Sequence, residues 1–199
     1  MKDIINILID SYQKNWITPR DGNISYKPAG AITFSITPSG LRKHELKDSD
    51  FIQIAIKNNG WEQLNNFHLK PSGEIEMHYE IMKPVSKEIC VIHLHPTYII
   101  SAMYSGLNLS DLAIEFPELS RYTKVANNTG LVSPLSKDLA EQCKKNLSLD
   151  KKIQGYKFDI VGIPNHGIVS IGDSAFNAYE HVERLEHISK IVLSSKKIS

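Results

Sequence analysis

The segment EICVIHLHPTYII, residues 88–100, constrains the fold more than any other part of the chain. Its apolar residues, from Cys90 to Leu94, predict the interior of a buried β-strand. Side chains alternate between the two faces of a strand, so His93 and His95 must point to the same side. The predicted strand therefore presents two imidazoles next to each other on one face.

Length and charge indicate one ordinary globular domain spanning residues 1–199. The 23 Lys and Arg residues nearly balance the 22 Asp and Glu residues, so no strong field favours nucleic acid or a membrane surface. No apolar run is long enough to span a bilayer, and the N-terminus lacks the pattern of a signal peptide. Cys90 and Cys143 have no CxxC spacing, so we expect free thiols. These features together predict a cytoplasmic protein.

Hydrophobic periodicity predicts a mixture of helices and short strands. Helices are expected at residues 4–12, 71–83, 97–105, 136–147 and 174–197, with Ser136 as an N-cap. Strands are expected at NISY, AITFSI, FIQIAI, the segment with the two histidines, and on both sides of the NHG turn in FDIVGIPNHGIVSIG. A regular βαβ alternation is missing from this order. The pattern favours a layered α/β or α+β domain over a doubly wound nucleotide-binding sheet.

A third histidine extends the pair on the strand. His166 lies in the NHG turn, where Asn165 and Gly167 favour a tight bend that can direct the ring into a cavity. Three imidazoles with one open position are typical of a catalytic zinc ion. The alternative without a metal is that one histidine of the strand is packed in the core and the other is exposed. The remaining histidines lie in polar loops or on predicted helices and are expected to be solvated or packed there: His44, His68, His78, His181 and His187.

Three turns of small residues suggest an anion site. Exposed backbone N–H groups, hydroxyls and a helix N-terminus are the donors that bind a phosphate dianion. Each turn alone is as readily explained by chain reversal. The turns are DGNIS with Gly22 and Asn23, TPSG with Ser39 and Gly40, and KPSGE with Ser72, Gly73 and Glu74.

The ordered series GNIS, TPSG, PSGE, HLHP and NHG resembles the class II aldolase/adducin family, over residues 4 to 195. The best-understood members of that family are zinc-dependent sugar-phosphate enzymes. The resemblance implies a three-layer α/β/α sandwich with a mainly antiparallel central sheet. It also implies a homotetramer with active sites at subunit boundaries.

The resemblance also assigns roles to residues. It implies one Zn²⁺ per chain held by His93, His95 and His166, with Glu74 as the acid/base group. It places the phosphate of the substrate against Gly22, Asn23, Ser39, Gly40 and Ser72. The implied activity is that of an aldolase-type lyase that cleaves a small phosphorylated ketose through a metal-stabilised enediolate. Glu76 is the rival carboxylate, but it lies two residues further along a helix, on nearly the opposite face.

The chain departs from the aldolases at several positions. Gly73 replaces a serine, Arg20 replaces a small hydroxyl residue, and SPLSK lacks a glycine that is common there. The chain also ends before the tail that supplies an aromatic residue in the aldolase, so Tyr98, Tyr104 and Tyr122 become candidates without a spacing argument among them. Two alternatives therefore stand beside aldol cleavage. The first is epimerisation, dehydration or decarboxylation at the same zinc site, and the second is a non-catalytic adducin-like binding module.

Overall fold

A computed structural model of the protein describes residues 1–195, and its centre is a seven-stranded sheet. The strands, in chain order, are β1 (Asn23–Lys27), β2 (Thr33–Ile36), β3 (Ile52–Lys57), β4 (Gly60–Gln63), β5 (Ile89–Leu94), β6 (Leu149–Asp150), β7 (Gly155–Tyr156), β8 (Ile160–Ile163) and β9 (Gly167–Gly172). The sheet has the order β4-β3-β2-β1-β5-β9-β8, and each neighbouring pair is antiparallel. The short strands β6 and β7 form a separate ribbon.

Helices cover both faces of this sheet. They are α1 (Lys2–Gln13), α2 (Ile75–Met82), α3 (Thr97–Tyr104), α4 (Leu109–Glu115), α5 (Pro117–Tyr122), α6 (Lys137–Leu147) and α7 (Ala175–Ser195). Helices α1, α3 and α7 pack with one apolar cluster, and α2 and α6 pack with the other. The predicted three-layer sandwich with an antiparallel sheet is therefore confirmed. Within residues 1–195, none of the helices combines the length and apolar character needed to cross a bilayer.

Strand β5 lies at the middle of the sheet and is buried on both faces, which explains its nearly continuous apolar sequence. Cys90, Ile92 and Leu94 belong to the cluster under α1, α3 and α7. Ile89 and Val91 belong to the cluster under α2 and α6. By alternation, His93 lies on the second face, where α2 also begins. His93 of the central strand therefore lies on the same side of the sheet as the N-terminus of α2.

Most predicted elements are present, with some corrections. Ser136 caps α6, since its Oγ accepts a hydrogen bond of 3.1 Å from the backbone N–H of Leu139. Both cysteines are free and buried. Strand β2 begins at Thr33, later than predicted, because Ile32 is exposed. The prediction of α7 extended over residues 196–197, which lie outside the described residues. The sequence reasoning missed α4, α5, β4 and the β6–β7 ribbon, which are short and carry weak periodicity.

Candidate metal and anion site

The three predicted histidines lie together at one end of the sheet. His93 is in β5, His95 follows that strand directly, and His166 lies in the turn between β8 and β9. The Nε2 atoms of His93 and His95 are 3.0 Å apart. One ring nitrogen from each histidine lies within 4.8 Å of the other two. The pair of histidines at the end of β5 is thus completed by His166, which comes from the turn between β8 and β9.

Backbone contacts orient these rings. His93 Nδ1 is 2.9 Å from the carbonyl oxygen of Ile168. A carbonyl only accepts, so Nδ1 carries the proton and Nε2 keeps its lone pair toward the other rings. The turn with His166 depends on Asn165 at φ 58°, a left-handed conformation that asparagine tolerates. A Cβ on Gly167 would lie 2.4 Å from the carbonyl oxygen of Leu94, so only glycine allows this turn to approach β5.

The cluster is uncharged, which a metal site requires. Burial lowers the pKa of His93 well below its usual range, and the neighbouring imidazoles lower it further. Burial likewise lowers the pKa of His95 to about 4 and lowers that of His166. Neutral imidazoles are the form that binds zinc.

The donor set also fits a zinc ion by its spacing. Tetrahedral zinc with bonds of about 2.0–2.1 Å separates two nitrogen ligands by roughly 3.3 Å, close to the 3.0 Å between His93 and His95. His166 Nδ1 is buried and has no hydrogen-bond partner among residues 1–195, and its Nε2 lies 3.9 Å from Glu74 Oε1. Three imidazoles with these properties suit one divalent ion.

Glu74 borders the histidine cluster. It is the N-cap residue of α2, and its Oε1 lies 3.9 Å from Nε2 of His166. The carboxylate is buried and accepts one long hydrogen bond, 3.4 Å, from the backbone N–H of Leu135. Burial raises the pKa of Glu74, and the bond from Leu135 opposes that rise. A carboxylate with so few donors retains free lone pairs for a proton.

Glu76 points elsewhere, as the helical spacing predicts. Its Oε1 accepts a hydrogen bond of 2.9 Å from Nε1 of Trp61 on β4. It does not line the cavity that contains Glu74 and the histidines. Its role is to attach α2 to the edge of the sheet.

The three predicted turns meet at the same cavity. Gly22, Asn23, Ser39 and Ser72 line it together with Glu74 and the histidines. Gly22 has φ +70°, and a Cβ there would lie 2.5 Å from Cγ2 of Ile17.

Gly40 and the three candidate tyrosines are placed differently. Gly40 is exposed, has φ +80° and is not among the lining residues, so its conformation serves the turn that presents Ser39. Tyr98, Tyr104 and Tyr122 also lie off the cavity wall of their own chain.

Sequence reasoning missed a buried lysine at this cavity. Lys43 is 2% exposed, and its Nζ donates to the carbonyl oxygens of Pro38 at 2.9 Å and Leu41 at 3.2 Å. Burial lowers the pKa of Lys43 to about 8, while Asp21 raises it and Arg20 lowers it. No carboxylate in residues 1–195 forms a salt bridge with Lys43. Nothing in LRKHEL distinguishes this lysine from a solvated one.

The two departures Gly73 and SPLSK prove to be neighbours. Leu135, in SPLSK, has φ 60°, a conformation that is costly for leucine and easy for glycine. A Cβ on Gly73 would lie 2.9 Å from Cδ2 of Leu135. A serine at 73 would thus require Leu135 to move. Gly73, which lacks the hydroxyl of the usual serine, and Leu135, in the segment that lacks the usual glycine, are therefore in contact with each other in the cavity wall.

Comparison with known proteins agrees with this architecture. The profile of the "Class II Aldolase and Adducin N-terminal domain" family matches residues 2–193. The chain belongs to this family. Family enzymes use a divalent metal, typically Zn²⁺, and act on sugar phosphates.

Individual relatives carry two different activities. A methylthioribulose-1-phosphate dehydratase of Geobacillus sp. (strain WCH70) is 27% identical, over 94% of this chain and 86% of its own length. An L-fuculose phosphate aldolase of Methanocaldococcus jannaschii is also 27% identical, over 96% of this chain and 94% of its own. A solved sugar-phosphate aldolase from Thermotoga maritima shares the fold, with a TM-score of 0.80 and 21% identity over 100% of this chain and 95% of that one.

Proposed function

We propose that the protein is a zinc-dependent aldolase-type lyase that cleaves a small phosphorylated ketose. The observation that carries the proposal is one cavity in which three neutral imidazoles, a buried carboxylate and a wall of polar and basic side chains meet. His93, His95 and His166 would hold the ion. When bound, zinc supplies Lewis-acid polarisation of a substrate oxygen.

Glu74 is the proposed proton-transfer group. A general base needs free lone pairs within reach of the reacting carbon, and Glu74 lies beside the cluster with one weak donor. Because the segment with Ser72 and Gly73 leads directly into Glu74, the anchored phosphate and the carboxylate are placed by the same turn. This arrangement would hold the substrate carbon that exchanges the proton, on the far side of the carbonyl from the phosphate-bearing carbon, at a set position relative to the base.

The part of the cavity wall formed by the three turns is proposed to bind the phosphate. Asn23, Ser39 and Ser72 supply neutral donors there, and Gly22 lines the same wall. Arg20 and Lys43 add positive charge to the same wall. Gly40 contributes by shaping the turn of Ser39. Charge-assisted hydrogen bonds of this kind are the strong ones, so the wall selects a phosphorylated substrate.

A dehydratase is the second candidate, because a dehydratase and an aldolase are equally similar to this chain at 27% identity. Both reactions use a carbonyl compound that carries a phosphate. They differ in the bond that breaks, since an aldolase cleaves a carbon–carbon bond and a dehydratase removes water. Epimerisation and decarboxylation use the same site residues and rank behind these two.

The test is turnover of L-fuculose 1-phosphate and methylthioribulose 1-phosphate by zinc-loaded protein, followed by mass spectrometry. Release of an aldehyde fragment from the first supports the lyase. Loss of one water from the second, without cleavage of the carbon chain, supports the dehydratase. Glu74→Gln should lower turnover by roughly 10²-fold or more in either case, whereas Glu76→Gln should remain active. Zinc-loaded protein that turns over no phosphorylated sugar would contradict the proposal and favour a binding module.

We also propose that the protein works as a cytoplasmic homotetramer in which a neighbouring chain completes each site. Leu135 lines the cavity and is 61% exposed, an apolar surface that a neighbouring chain could cover. The cavity wall holds no tyrosine of its own chain among residues 1–195. An aromatic acid/base residue would therefore come from another subunit.

A further inference from the structure

His78 lies beneath the proposed phosphate wall and has no role in the reaction as described so far. It is in α2, one helical turn after Glu74, and is completely buried. Its Nδ1 is 2.5 Å from Oγ of Ser25, and its Nε2 contacts Oδ1 of Asn23. Ser25 and Asn23 lie two residues apart on β1, so both face α2. The imidazole thus joins a buried hydroxyl to the amide that lines the cavity.

Only one ring nitrogen of His78 can carry a proton. Burial lowers the pKa of His78 to about 3, so the ring is neutral near neutral pH. A neutral imidazole has one donor and one acceptor nitrogen. If Ser25 donates to Nδ1, then Nε2–H donates to Asn23 Oδ1. The Nδ2 amino group of Asn23 is then the polar end left for the cavity.

The opposite tautomer gives the opposite result. If Nδ1–H donates to Ser25, the hydroxyl of Ser25 can donate to Sδ of Met82, which is 3.6 Å away. Nε2 would then accept from the amino group of Asn23, and the amide would turn its carbonyl oxygen toward the cavity. An anion is stabilised by the first arrangement and repelled by the second. The tautomer of a buried ring therefore decides whether the wall offers a donor or an acceptor.

We propose that His78 is a positioning residue that orients the Asn23 amide so that its amino group donates to the phosphate of the substrate. The inference rests on the proposed function, because it requires an anion at this wall. Glu74 and His78 are four residues apart on α2, and the backbone N–H of His78 donates to the carbonyl of Glu74 at 3.3 Å. One helix thus sets both the base and the amide at the phosphate wall.

The test is calorimetric binding of inorganic phosphate to the metal-containing protein, with metal content measured for each variant. Asn23→Ala should weaken phosphate binding roughly tenfold or more, as expected for a lost hydrogen bond to a charged group. His78→Leu should weaken it roughly threefold to tenfold, and should add nothing in the Asn23→Ala background. His78→Gln should restore most of the affinity, because its amide can also donate to Asn23 and accept from Ser25.

His181→Leu is the matched control. That histidine is also buried and hydrogen-bonded to a hydroxyl, Thr123 Oγ1 at 3.0 Å, but it lies on α7 away from the cavity. The His181→Leu variant should be less stable than wild type but should bind phosphate with the same affinity. If His78→Leu does not fold, Ser25→Ala is measured in its place. Ser25→Ala should weaken phosphate binding less than His78→Leu, and it should have no further effect in the Asn23→Ala background.

Three results would overturn the inference. Normal phosphate affinity in a folded His78 variant, or a loss that adds to that of Asn23→Ala, refutes the positioning role alone. Wild-type protein that binds no phosphate refutes the positioning role together with the anion site on which it rests.

Discussion

Replacing Lys43 by methionine should separate ligand binding from stability. The pKa of Lys43 falls from 10.5 to about 8 because of burial. At about 1.4 kcal/mol per pKa unit, the folded protein holds this ammonium at a cost of roughly 3 kcal/mol. Methionine removes that cost but leaves the carbonyls of Pro38 and Leu41 without their donor, at about 1–3 kcal/mol each. The two terms partly cancel, so the free energy of unfolding should lie between about 1 kcal/mol above and about 3 kcal/mol below that of wild type.

Phosphate binding should respond very differently. A charge-assisted hydrogen bond contributes about 1.5–3 kcal/mol, so Lys43→Met should weaken phosphate binding roughly 10- to 100-fold. The assays are urea denaturation for stability and calorimetry for phosphate. Lys27→Met is the matched control, because Lys27 is 1% exposed and donates to the carbonyl of Val85 away from the cavity. It should leave phosphate affinity unchanged. Equal phosphate affinity in wild type and Lys43→Met would refute the reasoning.

The pH dependence provides a second readout of the same change. The folded-state pKa of Lys43 lies below its unfolded value, so unfolding takes up a proton between about pH 8 and 10.5. The contribution of Lys43 to stability therefore rises with pH across this window and disappears in Lys43→Met. Phosphate affinity of the wild type should fall as the pH rises above about 8, where the folded protein loses the ammonium of Lys43. Asp21 raises the pKa of Lys43 and Arg20 lowers it. A pH profile that is identical in the two proteins would contradict this assignment.

Three further predictions concern the metal, the base and the assembly. Elemental analysis should find one zinc ion per chain in wild type and in His68→Ala, and none in His93→Ala. Unchanged stoichiometry in His93→Ala would refute the metal site. Glu74→Gln should keep fold and zinc but lower turnover by roughly 10²-fold or more, and Glu76→Gln should stay near wild-type turnover; the reverse pattern would refute the assignment. Light scattering should find a homotetramer, and a stable, active monomer would exclude sites shared between subunits.

The local parts of the site follow from the sequence alone. Two histidines two residues apart on a strand must share a face, and two glutamates two residues apart on a helix cannot. Those rules place His93 beside His95 and separate Glu74 from Glu76, and the structure agrees. The nearly continuous apolar run of β5 likewise predicts a strand buried on both faces. Each conclusion depends only on the geometry of one element, which a few neighbouring residues determine.

Tertiary structure alone decided which distant residues share the cavity and how they are protonated. Lys43 lies in an unremarkable polar segment, and only packing makes it a buried cation with a lowered pKa. His78 belongs to one helix by periodicity, yet its contact with Asn23 spans 55 positions of the chain. Leu135, with φ 60°, lies against Gly73 and donates to Glu74, both from another part of the sequence. The burial of a side chain and its hydrogen-bond partners depend on residues that are distant in the sequence, so no local pattern specifies them.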